Sequence, residues 1–182
     1  MEKTGLKIRV FGDFVLRKKA KPVKQITQRH RDTLERMARL MYDSAGIGLA
    51  APQVGISDAM IVVDTGSGLY KIINPRIIKR QGQQVIEEGC LSVPGICIKV
   101  KRAKKVLIRG QDENAGEFNL EAEDLLACVF QHEIDHLKGK LIVDYASFID
   151  KIKIKRKLNQ LKKKAEHEKL SEPERKSGKL QL

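Results

Sequence analysis

The run His132-Glu133-Ile134-Asp135-His136 constrains this chain more than any other stretch. On an α-helix, positions i and i+4 lie on one face, one turn apart. A helix through this run therefore offers two imidazoles to a single metal ion. Glu133 sits beside them, in reach of a water on that metal. This is the arrangement for metal-assisted hydrolysis, with the carboxylate as proton shuttle. Such a helix belongs at the centre of the fold, packed against strands that bring in the remaining ligand.

Catalytic zinc-type sites usually take three protein ligands and keep one position for water. A metzincin-type protease would place a histidine six residues after His136, but Ile142 stands there. A gluzincin-type protease would use a downstream acid, but Asp144 and Asp150 lie near or within a lysine-rich segment. Cys128 is one turn before His132, yet positions 128, 132 and 136 span about 12 Å at a rise of ~1.5 Å per residue. Metal–ligand bonds are only ~2.0–2.3 Å long, so these three cannot converge on one ion. The ligand must come from another segment, which leaves Cys90 and Cys97. Cys97 belongs to the alternating run Ile96–Lys101 and shares a face with Lys99 and Lys101. Cys90 follows Gly89, which permits an unusual backbone turn. Cys90 is the better candidate, with Cys97 still open.

Elsewhere the pattern predicts an α+β chain. Small antiparallel or mixed β-sheets would pack around the central histidine-bearing helix, with a further helix at the C-terminus. Leu34, Met37, Ala38 and Met41 recur at i, i+3, i+4, i+7 and predict a helix from about Thr27 to Ser44, ended by Gly46 and Gly48. Residues 59–64, 70–73, 84–87, 96–101 and 105–109 read as strands, with Asn74-Pro75 closing the second by a turn. Asp112–Gly116 reads as a hairpin turn into Glu117–Leu120. Glu121, Glu123 and Asp124 then suit the start of the metal helix, and Gly139 its stop. Leu125, Val129, His132 and His136 share that helix's inward face. A last helix from about Ser147 to Glu168 carries Ile154, Leu158, Leu161 and Ala165 opposite its lysines. Residues 1–165 are expected to form one catalytic domain that includes this basic helix, and 166–182 a polar, flexible tail.

Three motifs stand in order: Gly46-Ile47-Gly48-Leu49-Ala50-Ala51-Pro52-Gln53, Glu88-Gly89-Cys90-Leu91-Ser92, and Gln131-His132-Glu133-Ile134-Asp135-His136. With them the chain resembles the peptide deformylase family, over roughly residues 6–165. Those enzymes remove the formyl group from nascent bacterial proteins. The resemblance implies Cys90, His132 and His136 as metal ligands and Glu133 as general base and acid. It implies that the Leu91 N–H and the Gln53 amide stabilise the oxyanion, and that Ile47 and Gly48 offer backbone hydrogen bonds to the peptide. It also implies a methionine pocket near the metal helix. Ile86, Leu125, Cys128 and Val129 are candidates for its lining, with plain core packing as the competing role of each. Asp135 and Gln131 are candidates for orienting the ligands.

One thiolate and two imidazoles suit iron, zinc, nickel or cobalt. The resemblance implies Fe2+ in the cell, with Zn2+, Ni2+ or Co2+ possible in purified protein. Two other classes stay open on sequence: a zincin-type metallopeptidase, and a structural metal site in a basic RNA-binding protein.

Charge bears on the partner. The formal net charge is +13, and between Lys151 and Lys164 there are eight basic residues and no acid. Such a stripe is the footprint of a polyanion partner, though a solvated helix face carries the same pattern. Without interleaved aromatics, phosphate contact is the expected mode. The resemblance implies docking on the ribosome. No apolar run approaches the ~20 residues that span a bilayer, and the N-terminus lacks the apolar core of a signal peptide. Three cysteines do not suggest a disulfide framework. The expected location is the cytoplasm, with no membrane contact.

Overall fold

The computed structural model describes residues 5–171, with side chains as far as His167. Helix α1 spans Gln28–Asp43. Strands β1 (Gly48–Ala50), β2 (Met60–Val63), β3 (Tyr70–Gln81), β4 (Gln84–Glu88), β5 (Ile98–Arg102), β6 (Lys105–Gln111) and β7 (Glu117–Glu123) follow. Helix α2 spans Asp124–Leu137, and α3 spans Phe148–Ser171. A five-stranded sheet runs β1-β2-β3-β6-β7, and β4 pairs with β5 in a two-stranded sheet. All these strand pairs are antiparallel. The expected α+β architecture is present.

β2 shows why the sheet carries helices on both faces. Met60-Ile61-Val62-Val63 is wholly buried. Alternate side chains point to opposite faces of a strand. Met60 and Val62 join Leu34, Met37, Ala38 and Met41 of α1. Ile61 and Val63 join Ala127, Phe130, Ile134 and Leu137 of α2. Each large side chain contributes roughly 1.5–3 kcal/mol on burial. The histidine-bearing helix is thus fixed against the centre of the sheet.

A third cluster sits beneath the two-stranded sheet. Ile98 and Val100 of β5 pack with Leu16, Val93, Ile96 and Leu141–Val143, and Leu161 of α3 completes the cluster. Ile154 and Leu158 lie at its edge. The apolar stripe expected on the last helix is therefore its inward face. That helix runs on to Ser171, beyond the expected end. The rest of the expected 166–182 tail lies outside the described residues.

Three local expectations need correction. Asn74-Pro75 does not end its strand. β3 continues to Gln81, with a register shift between Ile73 and Arg76. A bulge there accommodates a proline that cannot donate to the ladder. Asn74 adopts φ 54°, and its amide holds both backbone groups of Val23 at 2.8 Å. Second, α1 is ended by Ala45 in the left-handed conformation (φ 52°), before either glycine. Third, Glu121 and Glu123 belong to β7, so only Asp124 lies in the first turn of α2.

Gly139 does follow the end of α2, at φ 73°, and a Cβ there would lie 2.5 Å from the Arg17 carbonyl oxygen. No described helix is long and apolar enough to cross a membrane.

Candidate metal centre

α2 presents His132 and His136 one turn apart, and the turn after β4 carries Cys90 to them. Cys90 Sγ lies 3.3 Å from His136 Nε2, which lies 3.2 Å from His132 Nε2. The three donor atoms fall within 4.8 Å of one another. Cys97 is exposed and outside this group. Cys128 is buried, and its sulfur accepts from Gln84 Nε2 at 3.2 Å. Burial pushes the Cys128 thiol up to about 11, with the Glu88 charge adding to the rise.

Glu88 Oε2 lies 2.9 Å from His132 Nδ1. A proton held on Nδ1 turns the Nε2 lone pair toward His136 and Cys90. Two imidazole nitrogens and a sulfur crowded at one point repel unless a proton or a metal cation lies among them. Burial opposes charge on His132, but hydrogen bonds with Cys90 and Glu88 hold its pKa well above the usual value. Burial, followed by the His132 charge, keeps His136 well below it. A divalent transition metal fits this soft-and-imidazole donor set.

The orienting groups extend further than the sequence suggested. Arg102 Nε and Nη2 bond Glu88 at 2.7 and 2.9 Å, and Nη1 bonds Asp135 Oδ2 at 2.5 Å. Tyr145 donates to the same Asp135 oxygen at 2.7 Å and lies under the guanidinium, 4.9 Å from ring centroid to Cζ. Burial disfavours the Glu88 carboxylate, yet Arg102 and His132 outweigh it and hold the pKa low. Asp135 is therefore linked to His132 through Arg102 and Glu88. Gln131 does not reach the ligands. It clamps α2 to Ala103, accepting from its N–H at 3.0 Å and donating to its carbonyl at 2.9 Å. Alternation carried a signal for Glu88 and Arg102: Gln84, Ile86, Glu88 and Ile98, Val100, Arg102 are the inward positions of β4 and β5.

Glu133 is 3% exposed, and its Oε2 has no hydrogen-bond partner among the described residues. Burial pushes its pKa up to about 7, against the lowering effect of a charged His132. A Cβ on Gly48 would lie 2.9 Å from Glu133 Cδ and 2.9 Å from Val129 Cγ1. Gly48 is thus the position whose missing side chain leaves room for the Glu133 carboxyl. Gln53 is buried; its Oε1 accepts from the Ala50 N–H at 2.8 Å. Its Nε2 points to Ser92 Oγ at 3.2 Å and Cys90 Sγ at 3.7 Å. One amide both caps a turn and aims a donor at the centre. The Leu91 N–H makes no hydrogen bond within the described residues.

A cleft of about 460 Å³ opens onto this centre. Ile47, Gly48, Gln53, Ile86, Leu125 and Cys128 line it, as do Val129, Leu91 and Glu133. Cys128 and Val129 are buried in its wall, while Leu125 is 46% exposed. β1 is an edge strand, so one side of its backbone lacks a neighbouring strand. The Ile47 carbonyl already accepts the Asp64 N–H at 3.0 Å, which leaves Gly48 the better placed of the two for a peptide.

Comparison with known proteins agrees with this architecture. Residues 6–152 match the family model described as polypeptide deformylase. A peptide deformylase of Halothermothrix orenii is 52% identical over 141 residues, covering 76% of this chain and 92% of the relative. One from Syntrophomonas wolfei is 55% identical over 132 residues, 72% of this chain and 87% of the relative. The crystal structure of a peptide deformylase from Legionella pneumophila superposes with a TM-score of 0.81 at 41% identity, over 87% of this chain and 95% of that one. The chain belongs to the polypeptide deformylase family of enzymes.

Proposed function

We propose that this chain hydrolyses the N-formyl group of formyl-methionyl nascent peptides and releases formate, using a divalent metal held by Cys90, His132 and His136. The observation that carries the reading is the convergence of those three donors beside a buried, unpartnered carboxyl at the foot of an open cleft. The metal, when bound, supplies Lewis acidity that makes water acidic near neutrality and polarises a carbonyl oxygen. Fe2+ is the proposed metal in the cell, and Zn2+, Ni2+ or Co2+ suit the same donors.

The chain's own groups supply the rest. Glu133 takes the proton of the attacking water on its unpaired oxygen and delivers it to the departing amine. A carboxyl held near neutral pKa serves both steps. Gln53 Nε2 and the Leu91 N–H donate to the oxygen on which negative charge develops, and their placement costs no reorganisation at that moment. Glu88, itself held by Arg102, fixes the tautomer of His132. Gly48 and Ile47 guide the peptide along the open edge of β1. Ile86, Leu125, Cys128 and Val129 receive the methionine side chain.

Residues 1–165 act as one catalytic unit, and the basic outer side of α3 meets ribosomal RNA phosphate in the cytoplasm. No ion pair among the described residues involves a base between Lys151 and Lys164, which leaves this charge available to a polyanion. The deciding assay measures formate from a formyl-Met peptide and, in parallel, acetate from its acetylated analogue, with metal content recorded. Formate release alone, in proportion to bound metal, is expected. Cleavage of internal peptide bonds would return the chain to the metallopeptidase reading.

A further inference from the structure

One side of the cleft is finished by a residue that is far away in sequence. The turn after Cys90 continues tightly, with Val93 N–H bonding the Cys90 carbonyl at 2.9 Å and Ile96 N–H bonding the Val93 carbonyl at 3.3 Å. Pro94 and Gly95 of this turn line the cleft. Gly95 adopts φ 70°, and a Cβ added there would lie 3.0 Å from Lys157 Cε and closer still to Lys157 Nζ. The Lys157 ammonium thus rests directly over a lining residue, in the space that a side chain on Gly95 would fill. It is exposed and has no ion-pair partner among the described residues. Its backbone is fixed, because Ile154, Leu158 and Leu161 anchor α3 on either side of it.

The charge of the cleft makes this position informative. The lining residues include Glu87, Glu88 and Glu133 but no lysine or arginine. Glu88 is neutralised by Arg102, and Glu87 is exposed. A peptide entering with an acidic side chain meets like charge on this lining unless a cation stands at the rim. Lys157 is that cation. A peptide laid along the edge of β1 advances ~3.3 Å per residue. Gly95 is five residues after Cys90, and the two turns between them hold it closer than the about 17 Å that five extended residues could span, so the rim falls within reach of the first few residues behind the reacting N-terminus.

We propose that Lys157 is a specificity-determining residue, whose ammonium receives a peptide carboxylate located within the second to fourth residues after the formyl group. The proposal rests on the deformylase reading of this cleft. The carboxylate belongs to an Asp or Glu side chain in a nascent chain, or to the C-terminus of a very short peptide. An exposed ion pair of this kind is worth a few-fold in kcat/KM.

The test uses the metal-loaded full chain and C-terminally amidated formyl-Met peptides carrying Glu, Gln or Lys at positions two, three or four. Formate release gives kcat/KM at low and at high salt. Wild type is expected to favour Glu over Gln by about threefold at one of these positions, with the preference fading as salt rises. Lys157→Gln should bring that ratio to about one, Lys157→Arg should keep it, and Lys157→Glu should favour the Lys peptide instead. A free-acid dipeptide compared with its amide reads the terminal carboxylate separately from the side chains. A Glu-to-Gln ratio of one in wild type at every position, or a ratio that survives Lys157→Gln, overturns the proposal. Absence of formate from every peptide would instead defeat the function reading itself.

Discussion

The inward face of α2 and the outward face of α3 handle polar groups in opposite ways. On α2 the charged or titratable side chains around His132 and His136 are buried or half-buried, and they belong to one bonded chain: His132 to Glu88, Glu88 to Arg102, Arg102 to Asp135, and Asp135 to Tyr145. Two buried atoms of this helix have no hydrogen-bond partner among the described residues: Oε2 of Glu133, a residue that lines the cleft, and Nδ1 of His136. On α3, Lys151, Lys153, Lys155 and Arg156 stand exposed without ion pairs among the described residues. Phe148, Ile149 and Ile152 are exposed beside them. The difference separates a site whose geometry is fixed by its own hydrogen bonds from a surface whose charge is unpaired among the described residues. Buried, bonded charges set orientation and lose much when one partner is removed. Exposed charges act additively, at long range, and are screened by salt.

The largest loss should come from the carboxyl on α2 whose Oε2 lacks a partner among the described residues. Glu133→Ala should lower deformylation by roughly 10²–10⁴-fold, since proton transfer contributes about that much. It should keep its metal and fold. Near-normal turnover in a metal-replete sample would remove Glu133 from the chemistry. Gln53→Ala should lower kcat by about 10²-fold with a smaller change in KM, as expected for a donor to developing charge. An effect confined to KM would make Gln53 a residue that only positions the peptide.

Arg102→Ala probes the buried side of the contrast from further out. It leaves Glu88 buried with His132 as its remaining ion-pair partner, and should weaken metal affinity by about 10–100-fold. Stability should fall by roughly 3–5 kcal/mol. Unchanged metal affinity would mean that Glu88 needs no support to orient His132.

For α3, deleting the helix is a poor test, because Leu161 is part of the core beneath β5. Replacing Lys151, Lys153, Lys155 and Arg156 together with Gln touches only exposed positions. That variant should keep peptide activity and bind ribosomes about tenfold more weakly, with a shallower salt dependence. Equal ribosome affinity would reduce the stripe to a solvated face.

The smallest effect belongs to Arg17 and Asp144, paired at 2.6 Å and both more than a third exposed. Burial works against the Asp144 carboxylate, but Arg17 and the Leu141 N–H outweigh it and lower its pKa. A carboxyl lowered in the fold adds stability that is present above its unfolded pKa, about 3.9, and is lost as pH falls through the folded value. Arg17→Ala should therefore cost less than ~1 kcal/mol near neutral pH after solvent screening. The difference from wild type should shrink below about pH 4.

Much of α2 could be read from sequence, because a four-residue spacing on a helix fixes which side chains meet. Cys90 could be favoured but not reached by elimination: helix rise excludes Cys128, while the alternation that puts Cys97 on a face with lysines only makes it the poorer candidate, and the choice rests on the family resemblance. Arg102 carried the same kind of signal, as the charged residue on the apolar side of Ile98-Lys99-Val100-Lys101-Arg102. Asn74-Pro75 misled for a physical reason. Its dipeptide has turn chemistry, but Asn74 is held by Val23, 51 residues away, and no local window contains that contact. The approach of Lys157 to Gly95 was hidden in the same way. Both residues are ordinary where they stand in the chain, and only the packing of α3 brings them together.

The central claim is that Cys90, His132 and His136 form the metal centre. Its most direct measurement is bound metal per chain, with formate release, in Cys90→Ala alongside Cys97→Ala. The account predicts that Cys90→Ala loses both metal and activity, because removing one of three ligands forfeits much of the binding energy, while Cys97→Ala keeps both. Full metal in Cys90→Ala, with loss in Cys97→Ala, would contradict it.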